Sequence, residues 1–153
     1  MDTSQDFEDL LGLFHKHKVR YVIIGGLAFV FHAKPRYTKD MDLWLSPAED
    51  NIQRANRALS EFGSPMLLNP GETDEIVQIG VTPNRIDLLV DVGCLSFDDV
   101  WEKRIERSYG KSVAYWIDLD NLITIKSRIN APKHQEDARI LREVKARRQA
   151  PER

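Results

Sequence analysis

This 153-residue chain has very little that would tie it to a membrane, a disulfide framework or a fibre. Its single cysteine, Cys94, can form no internal disulfide, which fits a reducing compartment and a small buried thiol. No apolar run approaches the roughly 20 residues of a membrane-crossing helix. The stretch Met1 to Asp6 is acidic and has neither the basic nor the apolar segment of a secretory leader. Together these absences predict a cytoplasmic protein without a membrane partner. Repeats and low-complexity tracts are also missing, which excludes solenoid and collagen-like designs. A net charge of −2 excludes a general electrostatic affinity for nucleic acid. The charge is uneven, however: from Lys126 to Arg153 nine Lys and Arg face four acids. Such a tail either holds RNA or an acidic partner, or is a solvated helix face with alternating signs.

What the chain does contain is enough for one core. With 42% hydrophobic and 30% charged residues it reads as a single globular domain over 1–153, with a core at about 18–118 and closing helices at about 119–148. Apolar residues at helical spacing, with acids early and cations late, predict a helix over Asp6–His17. Strands follow at Arg20–Ile24 and Met41–Ser46, with a helix at Gly26–His32 between them. The next helix runs to Phe62, with Ser46 as N-cap and Pro47 at its first position. Glu75–Val81 and Arg85–Val92 form a hairpin through Thr82-Pro83-Asn84. A short helix from Phe97 or Asp98 to Glu106 and a strand over Ser112–Ile117 precede a helical pair, Leu119–Ile129 and His134–Arg148, broken at Asn130-Ala131-Pro132. The alternation followed by a hairpin predicts an α/β (α+β) fold with a mixed sheet flanked by helices. Trp44, Trp101 and Trp116 sit among apolar neighbours and read as core or interface.

The chemistry concentrates in Thr38-Lys39-Asp40-Met41-Asp42-Leu43. Side chains alternate along a strand, so Asp40 and Asp42 point to one face. Two like charges there are either a solvated strand edge or a seat for a hard divalent ion. Gly25-Gly26 ends the first strand and opens the next helix, a place where backbone amides can meet phosphate. A third acid, Asp87, stands near the start of a later strand. Arg36 and Lys39 beside the acid pair are candidate phosphate contacts or surface salt bridges. Lys126 is a site lysine or a snorkelling one; Lys133 and Asp137, four apart, suggest a local helix pair. His15, His17 and His32 show no metal-ligand spacing.

The motif Ile24-Gly25-Gly26, Asp40-Met41-Asp42-Leu43 and a later Asp87 resembles the DNA polymerase beta-like nucleotidyltransferase superfamily, and within it the minimal bacterial AbiEii-type toxin and DUF6036-like branch. Arg36 and Thr38 resemble the Arg-x-Thr-x-Asp form of that branch; Lys126, Lys133-His134 and Asp137 resemble its lysine-rich closing helices. The likeness spans Tyr21 to Leu141 and is densest in the first half. It implies an enzyme that transfers NMP from an NTP to an RNA (tRNA), protein or small-molecule acceptor, with Mg2+ or Mn2+ held by Asp40, Asp42 and Asp87. Gly25, Gly26, Arg36, Thr38, Lys39, Lys126 and Lys133 would bind the nucleotide. It also implies a role as the toxin of a toxin-antitoxin system, with a partner protein or a second copy completing the site. A nucleotide-binding regulatory or antitoxin-like module is the other reading. Leu27 departs from the pattern, since other branches place a phosphate-touching Ser after the diglycine.

Overall fold

The computed structural model describes Met1 and residues 3–150; Asp2 and the tail end 151–153, including Glu152 and Arg153, lie outside the described residues. In chain order the elements are α1 (Gln5–Lys16), β1 (Tyr21–Ile24), α2 (Gly25–His32), β2 (Met41–Leu45), α3 (Glu49–Phe62), β3 (Ile76–Ile79), β4 (Ile86–Leu89), α4 (Phe97–Glu102), β5 (Ile105–Glu106), β6 (Tyr115–Trp116), α5 (Leu119–Arg128) and α6 (Pro132–Gln149). The strands make one six-stranded sheet in the order β3-β4-β2-β1-β6-β5. β1 runs antiparallel to β2, and β2 runs parallel to β4, so the sheet is mixed as the alternation predicts.

Period-two alternation sorts the central strands between two cores. Tyr21, Ile23, Met41, Leu43, Ile86 and Leu88 point to one face, where they pack with Phe7, Leu10 and Phe14 of α1 and Ile52, Ala55 and Leu59 of α3. Val22, Ile24 and Trp44 point to the other, which α2, α4, α5 and α6 cover through Phe29, Val100, Leu122 and Leu141. Helix α1 is amphipathic with acids in its first turn and cations in its last, so it needs only one buried stripe. Helix α2 is apolar almost throughout because it lies between the sheet and the C-terminal pair.

Sequence and structure part at several boundaries. Ser46 does not cap α3, which starts at Glu49. The reason is Asn51: it is buried, it donates to the carbonyls of Arg20 (3.1 Å) and Ser46 (3.0 Å), and it accepts from the Arg20 amide (2.7 Å). That clamp holds Ser46 in line with β1 and leaves Pro47 outside the helix. The helix expected to reach Glu106 stops at Glu102, because Ile105 and Glu106 pair with Trp116 and Tyr115 at the sheet edge. The closing pair is interrupted over 129–131 as expected, and Pro132 is already the first residue of α6, a position where its missing N–H costs nothing. Trp44 and Trp116 are buried as expected, whereas Trp101 is half-buried with the Arg104 guanidinium 3.8 Å above its ring. His32 is buried, its Nε2 lying 2.7 Å from the Ile117 carbonyl oxygen.

Among the described residues no helix is long and apolar enough to cross a membrane.

Candidate functional site

Register brings the acids together. In the parallel pairing of β2 with β4, Asp42 stands opposite Asp87, and in the antiparallel pairing of β1 with β2, Asp42 stands opposite Ile24, the residue before the diglycine. Both carboxylates therefore rise from the face that carries Trp44, at the place where the cover of α2 ends. Asp40 lies one residue before β2. Its Oδ1 accepts the Arg85 amide (3.2 Å) and its Oδ2 the Thr82 hydroxyl (3.3 Å). Burial pushes the Asp42 carboxyl up to about 6, and the charge of Asp87, a hydrogen bond with it and the charge of Asp40 add to the shift; the Lys126 ammonium opposes them.

The diglycine is demanded by this crowding. Gly25 has φ +69°, a left-handed backbone, and a Cβ there would collide with the Asp42 carboxylate. A Cβ on Gly26 would stand 3.0 Å from the Thr38 methyl, tighter than ordinary packing. Glycine at both positions thus lets the start of α2 sit against the acid strand, with the unpaired amides of its first turn beside the carboxylates.

A cleft of about 290 Å³ opens at this point, lined by Gly26, Arg36, Tyr37, Thr38, Lys39, Asp40, Asp42 and Lys133. A second cleft of about 540 Å³ shares Arg36, Tyr37 and Thr38 and continues over Leu27, Val30, Pro35 and Met1. Most of the residues expected from the motif therefore meet in one place. Lys126 lies behind them, buried on α5.

Asp137 organises the cations. Both its oxygens take the Arg36 guanidinium (2.7 and 2.9 Å), and Oδ2 also takes Lys126 Nζ at 2.8 Å. Lys126 Nζ lies 3.3 Å from His134 Nδ1, and Arg36 stacks 4.0 Å above the Phe29 ring. Burial raises the Asp137 carboxyl, but the hydrogen bonds and charges of Arg36 and Lys126 outweigh it and hold the group at about 2. Burial lowers the Lys126 ammonium, and Asp137 restores part of the loss. The spacing of Lys133 to Asp137 suggests a local pair, yet the partners of Asp137 come from α5 and from the loop before β2, while Lys133 faces the cleft.

Two features escape the motif. Arg85 binds Asp87 through Nε (2.8 Å) and Nη2 (3.1 Å) and reaches Asp40 at 3.5 Å. Its signal was present, since residues two apart on a strand share a face. Tyr37, which is exposed between the two clefts, gave no such signal. A further acid, Asp91, lies beyond the end of β4 and accepts the Gly93 amide (2.8 Å).

The register pair Asp42 and Asp87, with Asp40 nearby, stands beside a glycine-led helix on a mixed sheet, and the family to which the chain belongs makes it an enzyme of the nucleotidyltransferase class. It belongs to the family described as "Nucleotidyltransferase of unknown function (DUF6036)", whose profile matches residues 3–144. Among solved structures the chain is similar to the lincosamide antibiotic adenylyltransferase LnuA in its lincomycin-bound form, with 15% identity, 94% of this chain and 99% of the other covered, and a TM-score of 0.63. It is similar also to ANT(2″)-Ia in complex with adenylyl-2″-tobramycin (13% identity, 92% and 91% covered, TM-score 0.60). A third likeness is to an antigenic nucleotidyltransferase-like protein from Paracoccidioides brasiliensis (13% identity, 93% and 77% covered, TM-score 0.51). At these identities the likeness is one of fold. No curated protein sequence matches the chain.

Two variants test the electrostatics. A carboxyl raised in the folded state binds its proton more tightly there than in the unfolded chain, so its contribution to stability is complete below about pH 4 and is lost as pH rises through about 6. Asp42→Asn removes that loss. In EDTA it should be the more stable protein near neutral pH, by about 1–2 kcal/mol after allowance for solvent screening, and the gap should close towards pH 4. Thermal melts across this range read both. Asp137→Ala strands one buried and one half-buried cation, and urea unfolding should show a loss of about 3–5 kcal/mol. Combining Asp137→Leu with Lys126→Met should recover much of it.

Proposed function

We propose that this protein catalyses Mg2+-dependent transfer of a nucleoside monophosphate from an NTP to an acceptor hydroxyl. The observation that carries the reading is the registered pair Asp42 and Asp87, held against the first turn of α2 with Asp40 beside them. Half-buried carboxylates that repel one another are unfavourable unless a cation joins them. Their hard oxygens suit Mg2+, or Mn2+ in its place. Bound there, the ion would draw charge from the α-phosphate and the departing pyrophosphate.

The remaining steps belong to the chain's own groups. Backbone amides at the start of α2, at Gly25 and at Gly26 in the cleft wall, would donate to phosphate oxygens. Lys39 and Lys133 line the same cleft and add positive charge, and the Thr38 hydroxyl adds a neutral donor. Arg36, kept in place by Asp137, borders both clefts; Lys126 supplies positive charge from behind Asp42. The acceptor oxygen attacks the α-phosphorus, the bond from that phosphorus to the bridging oxygen breaks, and pyrophosphate leaves. In this reading Asp87 takes the acceptor's proton. Positioning and charge neutralisation supply most of the rate, as in other phosphoryl transfers.

The larger neighbouring cleft gives room for the rest of the substrates. The acceptor in this reading is an RNA such as tRNA, a protein or a small molecule; adenylylated tobramycin in one structural neighbour is an instance of the last. The reaction belongs in the cytoplasm, where NTP and Mg2+ are at hand, and a toxin of the AbiEii kind, working with a partner protein or a second copy, is the biological setting we favour.

α-Labelled NTPs incubated with the enzyme, Mg2+ and separate pools of RNA, protein and small metabolites give the test. Label should enter one pool and be lost at least about 100-fold in Asp40→Ala/Asp42→Ala, the range expected when charge stabilisation of a transition state is removed. Nucleotide binding unaffected by the double substitution, with no label in any pool, would favour the regulatory-module reading instead.

A further inference from the structure

The guanidinium of Arg85 bridges two members of the acid cluster, Asp87 and Asp40. It grips both oxygens of Asp87, at 2.8 and 3.1 Å, and the same Nη2 stands 3.5 Å from Oδ2 of Asp40. A planar fork that is bidentate on one carboxylate and within reach of a second competes for the oxygens those groups would offer a hard cation. In this arrangement no group of three acid or imidazole side chains among the described residues converges to enclose an ion. While Arg85 holds Asp87 at both oxygens, that carboxylate lies beside Asp42 but is already paired with a cation, so its oxygens are not free to join Asp40 and Asp42 around an ion.

We propose that Arg85 is the built-in countercation of this site: it neutralises Asp87 and Asp40 in the ion-free protein, and a divalent ion enters only as the guanidinium withdraws. The inference rests on the ion-dependent reading given above. The local structure permits the exchange. The Arg85 side chain is 32% exposed, so it has solvent to move into. Its backbone amide remains bound to Asp40 Oδ1 at 3.2 Å, so the side chain leaves without disturbing the start of β4. Thr82 stays on the other oxygen of Asp40. The charge count also favours exchange, since one positive charge departs and two arrive among three carboxylates. An arginine fixed as a permanent support of Asp87 would behave in the opposite way, because its loss would weaken the ligand it orients.

The test uses Mn2+ alone as probe, with free ion counted by electron paramagnetic resonance during titration of the full chain. Arg85→Gln should bind Mn2+ at least about fivefold more tightly than wild type, because a competing charge a few ångströms away is gone. Arg85→Lys, which keeps the charge, should stay within about twofold of wild type. Adding Asp42→Asn to Arg85→Gln should abolish the gain and so place it at the acid cluster. Arg85→Ala is a second neutral variant, and melts in EDTA verify that each protein is folded. Unchanged or weaker Mn2+ binding in both neutral variants, with wild type binding normally, would overturn the countercation role and leave the ion-dependent reading standing. Absence of Mn2+ binding in wild type and in every variant would overturn both.

Discussion

The repulsion between Asp42 and Asp87 is the constraint around which this protein is arranged. Parallel pairing of β2 with β4 sets the two carboxylates side by side, since they occupy the same rung of adjacent strands. Three neighbours answer that proximity. Gly25 lacks a side chain where the Asp42 carboxylate must lie, Arg85 spreads its guanidinium over Asp87, and Lys126 lends positive charge from the helix behind. Placing like charges in a half-buried position costs stability, and proteins retain such costs at sites of function.

A second electrostatic centre supports the first. Asp137 on α6 draws Arg36 from the loop before β2 and Lys126 from α5 onto one carboxylate, tying together three segments far apart in sequence. Buried ion pairs contribute little net stability against an apolar substitute, but they specify geometry because each partner left alone is costly. Here the specified geometry is that of the cleft wall. The loop carrying Arg36, Tyr37, Thr38 and Lys39 has no regular secondary structure, and the Asp137 clamp together with the Arg36 stack on Phe29 determines where it runs.

Local features of the site were legible in the chain, and long-range ones were not. The Asp40 and Asp42 pair follows from the strand period, and the glycine-led start of α2 from the change of pattern at Gly25, both within a few residues. That Asp87 would stand level with Asp42 depends on strand register, which the motif order implies but periodicity alone does not determine. Asp137 shows the limit: its spacing to Lys133 fits a helix pair, yet its partners lie 101 and 11 residues away. Ser46 before Pro47 has the local chemistry of a helix start, and Asn51 overrode it through bonds to Arg20 across 31 residues. Arg85 fell between these cases, legible as a same-face neighbour of Asp87 but easily taken for an ordinary strand-edge cation.

The most direct measurement is an anomalous-scattering map of crystals grown with Mn2+ and a non-hydrolysable NTP. The account predicts a manganese peak among the carboxylates of Asp40, Asp42 and Asp87, with the triphosphate at the start of α2 and the Arg85 guanidinium off Asp87. A nucleotide bound elsewhere, or an acid cluster without manganese while Arg85 keeps its grip, would contradict it.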